Sequence, residues 1–273
     1  MNGKNKENVY CWLSFLVMII SVLIFFTPNF YPGMIAGSDS PFHMARIESL
    51  ALAIHRGEFP VKIHMDLAYG YGYGTGFFYS DFFLYIPAIL MNLGVDIQLA
   101  YKIFAALIAF GVWGAMYWSI YKLTNCYGVA AVCSVLYLFS TVVEESVYVH
   151  FAIGRSTALI FMPMAIIGIY LWAYREENAN MFAMGFVGLL FSHVLSTILS
   201  TMICGLIAIL YAPKWIKNPQ KWKQMLVAVG IVLMLTACYW LPLLQQWRAQ
   251  TYRASEPWTW VGEKELPFSS FFT

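Results

Sequence analysis

The chain has 273 residues, 60% of them hydrophobic and 11% charged, with a formal net charge of +2. Soluble domains carry about 25% charged residues, so this composition excludes a soluble globule and defines a polytopic, all-α membrane protein. The basic residues are dispersed or sit at segment ends, which excludes a nucleic-acid-binding surface. Cys11, Cys126, Cys133, Cys204 and Cys238 fall in or beside apolar runs without a CxxC or a His/Cys cluster, so they read as packing residues.

Apolar segments run approximately 10–30, 77–93, 98–121, 127–143, 156–174, 181–212 and 225–244. Lys4 and Lys6 precede the first. That segment is long and no small-x-small cleavage site follows it, so it reads as an uncleaved first span with a cytoplasmic N-terminus. Lys122, Arg175 and the group Lys214, Lys217, Lys221 and Lys223 mark the other basic loops. All of these share the cytoplasmic side only if one segment before Lys122 fails to span. The segment 77–93, interrupted by Asp81 and Pro87, is assigned that role as a re-entrant or surface element. The long run 181–212 must then turn once, and Ser192-His193-Val194-Leu195-Ser196 supplies the polar break. About seven spans are expected in a domain covering 1–244. The segments 31–97, 144–155, 192–196 and the tail 245–273 then lie together on the extracytoplasmic side of the cell membrane. They carry most of the ionisable groups that topology does not explain, and this convergence suggests a site.

The first outer loop is punctuated as a helix from about 41 to 56. Ser38, Asp39 or Ser40 suits its cap, Pro41 its first turn and Gly57 its end. Helical spacing puts His43, Arg46 and Leu50 on one face with Asp39 at the entrance, and Met44, Ile47, Ala51 and Ile54 on the other. The Tyr/Gly alternation at 69–76 combines backbone freedom with amphipathic rings, which suits a membrane interface. Lys62 and His64 read as ordinary loop residues, and Trp258 and Trp260 fit an interface or a sugar platform equally. The chain contains no GxxxxGK[ST], GxGxxG, HExxH or GxSxG, so nothing supports ATP-driven transport, dinucleotide redox or serine hydrolysis.

The run Gly37-Ser38-Asp39-Ser40-Pro41-Phe42-His43-Met44-Ala45-Arg46 resembles the first outer loop of GT-C superfamily membrane glycosyltransferases. A bacterial group of YfhO-like proteins, also labelled 6-pyruvoyl-tetrahydropterin-synthase-related, is the nearest likeness. The likeness continues through Gly57-Glu58-Phe59-Pro60-Val61-Lys62-Ile63, Gly70-Tyr71-Gly72-Tyr73-Gly74 and Phe78-Tyr79, and resumes at Ser192–Ser196. The resemblance implies one span, a long outer loop with juxtamembrane helices, then further spans. It also implies transfer of a sugar from a polyprenyl-phosphate carrier in the membrane lipid to a cell-envelope acceptor. Asp39 occupies the position of the family's acidic residue, which acts on the acceptor or binds a divalent metal. Two departures stand out. Where the family carries a second acid this chain has Arg155, leaving Glu144 and Glu145 as nearby substitutes, and family members are usually longer, so the chain reads as truncated or split.

Each residue also has a plainer reading. Asp39 suits a helix cap, His43 a partner for Asp39, and Arg46 a snorkelling interface residue. Glu144, Glu145 and Arg155 suit a solvated loop with one ion pair. The expectation built on the motif is that Asp39 and His43 are catalytic and that Arg46 and Arg155 hold lipid phosphate. His193 lines the cavity, because ionisable groups inside apolar runs usually face one. Asp39 and His43 alone are too few ligands to argue for a metal. Two rivals remain. One is a non-catalytic GT-C relative that binds lipid carriers or scaffolds envelope assembly. The other is a small transporter or flippase, which would spread polar residues through the depth of several spans.

Overall fold

A computed structural model describes residues 3–35, 37–175 and 177–249. Trp258, Trp260 and all of the expected tail beyond Ala249 lie outside the described residues. Among the described residues the chain is helical, with one isolated antiparallel bridge between His64 and Tyr73. The first helix, α1, covers Gly3–Phe26. After a loop, α2 covers Ser40–His55, and the short α3 (Tyr85–Asn92) packs on it. The long α4 (Ile97–Thr124) is followed by α5 (Tyr127–Leu138), the single turn α6 (Thr141–Glu144) and a π-turn at Glu145–Val149. The central helix, α7 (Ile153–Tyr174), packs on α4, α8 (Asn180–Ser192) and α9 (Val194–Leu210). The turn α10 (Ala212–Trp215), α11 (Pro219–Leu235) and α12 (Ala237–Ala249) complete the described chain.

Among the described residues three helices are long and apolar enough to cross a membrane, Asn8–Phe30, Ile97–Thr124 and Ile153–Tyr174. Two bent pairs, Tyr127–Leu138 with Thr141–Val149 and Pro219–Leu235 with Ala237–Ala249, raise the number to five if each is one span. The expected seven spans are therefore not found among the described residues. The run 181–212 divides at His193 into helices of 13 and 17 residues. At 1.5 Å per residue these reach about 20 and 26 Å, short of a hydrocarbon core about 30 Å thick. Within the segment 77–93, the helix α3 is only 8 residues long.

The outward faces of α1, α9 and α11 expose large apolar side chains such as Trp12, Leu16, Ile24, Met202, Ile209, Leu226 and Met234. Such continuous apolar faces suit lipid better than water. Inside, small residues set the helix spacing. A Cβ on Gly168 would lie 2.4 Å from the Phe182 nitrogen, and one on Gly185 would lie 2.5 Å from the Ala165 nitrogen, so α7 and α8 pack backbone to backbone. At the end of the bundle holding the α7 C-terminus, Lys221 donates to the carbonyls of Trp172 and Glu177 at 2.7 and 3.0 Å. An ammonium at helix-terminal carbonyls is favourable for both hydrogen bonding and the helix dipole.

The opposite end is held by loops. The Tyr148 hydroxyl donates to the Phe25 carbonyl at 2.6 Å, and Asn29 donates to that hydroxyl at 3.1 Å, tying α1 to the π-turn. Lys102, in the first turns of α4, donates to the Tyr31 carbonyl at 2.8 Å. Tyr239 of α12 donates to the Phe78 carbonyl at 2.9 Å. Residues from both expected faces of α2 are buried, while Phe42, Glu48 and Leu52 stay exposed. Ile47 and Ala51, expected to face lipid or a span, are buried in the core with Leu50. Beyond α2, Arg56 grips Asp66 through two 3.1 Å hydrogen bonds, while Tyr69 and Tyr71 project fully, at 103% and 91% exposure.

Candidate functional site

The site is assembled where the start of α2 meets the π-turn. The Ser38 amide donates to the Val149 carbonyl at 3.2 Å and the Asp39 amide to the His150 carbonyl at 3.0 Å. This approach requires glycine at 37, where a Cβ would lie 2.8 Å from the His150 carbonyl carbon and the Phe151 nitrogen. Asp39 is the N-terminal flanking residue of α2, yet its side chain makes no capping hydrogen bond. Its carboxylate instead accepts from the Ser38 hydroxyl at 3.2 Å and stays exposed. The helix-cap reading of Asp39 is thus not what the structure forms.

The π-turn delivers the second group of residues. Such turns insert one extra residue into a helical path and recur at functional sites. The next residue but one, Phe151, has a φ of 59°, an unfavourable backbone region for a bulky side chain, and is held there by stacking on Tyr101 at 4.0 Å. The chain then enters α7, with Arg155 in its first turn. Arg155 donates from Nε to the Ser146 hydroxyl at 2.6 Å and approaches Glu145 at 3.6 Å. The third contribution is His193, in extended backbone between α8 and α9. Its Nδ1 accepts from the Ser196 amide at 3.3 Å, so this ring caps α9. The Ser192 carbonyl and the Tyr79 hydroxyl crowd against Gly154, where a Cβ would lie 2.7 and 2.3 Å away.

These elements enclose a cavity of about 310 Å³ lined by Asp39, Phe42, His43, Tyr79, His150, Ala152, Arg155 and His193. It gathers residues from four segments far apart in the chain, and four of the expected site residues, Asp39, His43, Arg155 and His193, share it. Glu145 stands outside the lining as the ion-pair partner of Arg155, and Glu144 is exposed and also outside it. Neither substitutes for a second carboxylate in the cavity.

Arg46 is the main displacement from expectation. Rather than facing a lipid phosphate, it is 0% exposed in a cluster behind the cavity wall. Its Nε donates to Asp81 Oδ1 at 3.0 Å, and its Nη2 donates to the same carboxylate oxygen and to the Tyr79 and Ser80 carbonyls at 3.4 and 3.3 Å. The guanidinium also lies 4.5 Å from the Tyr79 ring centre and 5.2 Å from that of Phe42. His64 Nε2 pairs with the other carboxylate oxygen of Asp81 at 3.1 Å. His64 is thus not an ordinary loop residue but a fully buried one, and its Nδ1 has no hydrogen-bond partner.

Burial pushes the Asp81 carboxyl up, but the His64 hydrogen bond and the Arg46 charge outweigh it and hold the group below its ordinary value. For His43, burial and then the Arg46 charge drive the imidazole down to about 3, so it is neutral at physiological pH. Asp81 was visible in the sequence only as an interruption of an apolar run. The usable signal was its cost: a carboxylate there needs a cationic partner nearby.

Among the described residues no three His, Cys, Asp or Glu side chains are placed to hold a metal ion together. Against protein-family models, characterised proteins and solved structures the chain has no match.

Proposed function

We propose that the protein is a membrane glycosyltransferase of the GT-C kind, transferring a sugar from a polyprenyl-phosphate donor to a cell-envelope acceptor in the Asp39 cavity. The observation that carries this reading is the uncapped, exposed carboxylate of Asp39 sharing one cavity with Arg155 and three imidazoles, behind the motif that resembles the family's outer loop. Asp39 takes the proton from an acceptor hydroxyl as its oxygen bonds to the anomeric carbon. The bond from that carbon to the phosphate oxygen breaks, and the electron pair leaves with the polyprenyl phosphate. Arg155 faces the phosphate charge, and His43, His150 and His193 line the path of its oxygens. A phosphate is already a competent leaving group, so the protein contributes mainly position and charge stabilisation. In this reading Arg46 positions the wall instead of binding the ligand.

The cavity end is the extracytoplasmic face in this proposal. Lys122 and Arg175 stand at the C-terminal ends of α4 and α7, whereas the cavity is at the N-terminal end of α7. An impermeant thiol reagent applied to intact cells is expected to label D66C and to spare K122C. The reverse pattern contradicts the orientation.

The direct test is turnover by the purified chain in proteoliposomes, supplied with polyprenyl-phosphate sugars and followed by release of free polyprenyl phosphate. Release is expected from wild type and lost in Asp39→Asn, with thermal stability unchanged. No release from either protein across several sugars and with divalent metal present favours a carrier-binding role without catalysis.

A further inference from the structure

Two ionisable layers meet at His43. Its imidazole lines the cavity on one side and touches the buried cluster on the other, where Arg46 Nη1 lies 3.3 Å from His43 Nδ1. A guanidinium has N–H donors and no acceptor, so the ring nitrogen facing it must accept. A neutral imidazole carries one proton. With Nδ1 accepting, that proton sits on Nε2, the nitrogen on the far side of the ring from Arg46.

The arrangement cannot relax easily. Asp81 fixes the guanidinium by two hydrogen bonds to one carboxylate oxygen, His64 holds the second oxygen at 3.1 Å, and the carbonyls of Tyr79 and Ser80 take further donors. The rings of Phe42 and Tyr79 lie against both the guanidinium and the imidazole, with centroids 5.1 and 5.8 Å from that of His43. Moving the proton to Nδ1 would set one donor against another and leave the Arg46 Nη1 donor without its acceptor, a costly exchange.

We infer that Asp81, acting through Arg46, holds His43 as the neutral Nε2–H tautomer, so that His43 meets a ligand oxygen in the cavity as a hydrogen-bond donor and never as a base. Asp81 is then a positioning residue of the site, and proton abstraction is left to Asp39. The ligand group this suits is an anionic oxygen, such as a phosphate oxygen, flanked by the Arg155 charge and the His43 N–H. The role in catalysis rests on the glycosyltransferase reading, whereas the tautomer does not.

The test begins with ¹⁵N-histidine-labelled full-length chain in detergent micelles, using long-range ¹H–¹⁵N spectra with the His43 signals assigned by their loss in His43→Gln. Wild type at neutral pH is expected to show a protonated Nε2 and an unprotonated Nδ1 at His43. A protonated Nδ1 overturns the inference, whether or not the protein proves to be an enzyme. In Asp81→Asn the His43 signals are expected to show mixed tautomers. Unchanged signals there remove Asp81 from the role, and if that variant does not fold, Arg46→Lys is examined in the same way.

A second arm measures binding of polyprenyl phosphate and of free inorganic phosphate. His43→Gln, whose amide N–H₂ reproduces the Nε2 donor, is expected to bind within a few-fold of wild type. His43→Asn, too short to do so, is expected to bind about tenfold more weakly. Equal loss in both variants contradicts a donor role. Binding of inorganic phosphate alone identifies a phosphate site without lipid selectivity, which would overturn the carrier reading and leave the tautomer standing.

Discussion

Two groups of charged and polar side chains lie within a few ångströms of each other in this protein, and they are built on opposite terms. In the buried group, Arg46, Asp81 and His64 are almost fully enclosed and the guanidinium and carboxylate satisfy each other. In the open group, the exposed Asp39 carboxylate accepts from the exposed Ser38 hydroxyl at 3.2 Å, and the half-buried Arg155 is anchored through Nε to the Ser146 hydroxyl at 2.6 Å while its other end approaches the exposed Glu145 at 3.6 Å. The contrast separates a scaffold from a candidate site. A saturated, enclosed ion pair stores its interactions in the fold, whereas an under-partnered carboxylate in a cavity keeps them for a ligand. His43 belongs to both groups, accepting from one and lining the other.

Substitutions in the buried group give the largest expected effect on stability. Asp81→Ala leaves Arg46 as an unpaired buried cation and is expected to cost about 3–5 kcal/mol in chemical or thermal unfolding in detergent. Replacing both partners with apolar residues, Arg46→Met with Asp81→Leu, is expected to recover most of that loss. A double variant no better than Asp81→Ala would show that the pair is needed for more than mutual neutralisation.

Next comes the wall between the two groups. Gly154→Ala places a methyl against the Tyr79 hydroxyl and the Ser192 carbonyl, and is expected to cost about 1–3 kcal/mol by overpacking and to distort the cavity. A melting temperature equal to wild type would mean that the contact relaxes freely.

The shared histidine makes stability depend on pH. Between about 3 and 6.5 the unfolded chain binds a proton at His43 that the folded chain refuses, so stability rises with pH across that window. The slope is at most about 1.4 kcal/mol per pH unit from this residue. Asp81 acts in the same direction at lower pH. Its folded value lies below the ordinary 3.8, so its contribution is present above that value and lost as pH falls through the lowered one. His43→Gln is expected to flatten the upper part of the slope, measured as melting temperature against pH. An unchanged slope would place the titrating group elsewhere.

The smallest stability effects belong to the open group. Asp39→Asn, which removes no capping bond, is expected to stay within about 0.5 kcal/mol of wild type. A larger loss would make Asp39 part of the scaffold after all.

Much of this division could be read from residue order. Punctuation by Ser38–Pro41 and Gly57 predicts a helix from about 41 to 56, and the structure forms one at Ser40–His55 with His43, Arg46 and Leu50 buried together. The break in 181–212 falls at His193 as its polar neighbours suggested. The convergence of Asp39, His43, Arg155 and His193 on one cavity was legible in the same way, because ionisable residues in a chain this apolar must converge on a cavity or on each other. Which of the two happens was not legible. Arg46 meets Asp81 across 35 residues, through a loop whose path no periodicity specifies. His64 joins them only because the turn at 64–73 folds its ring inward. The number of spans was missed for a different reason. Hydropathy marks α8 and α9 as apolar, but their lengths are set by where the polar break and the α7 packing end them.

The most direct measurement of the central claim is the melting temperature of the purified chain with and without excess polyprenyl phosphate, for wild type beside Arg155→Gln. At a ligand concentration about a hundred times its dissociation constant, binding adds about 2.7 kcal/mol of stability. Wild type is expected to show the corresponding upward shift. Arg155→Gln is expected to melt like wild type without ligand and to lose most of the shift with it. An equal shift in both proteins, or none in wild type, would contradict the assignment of the open cavity as the ligand site.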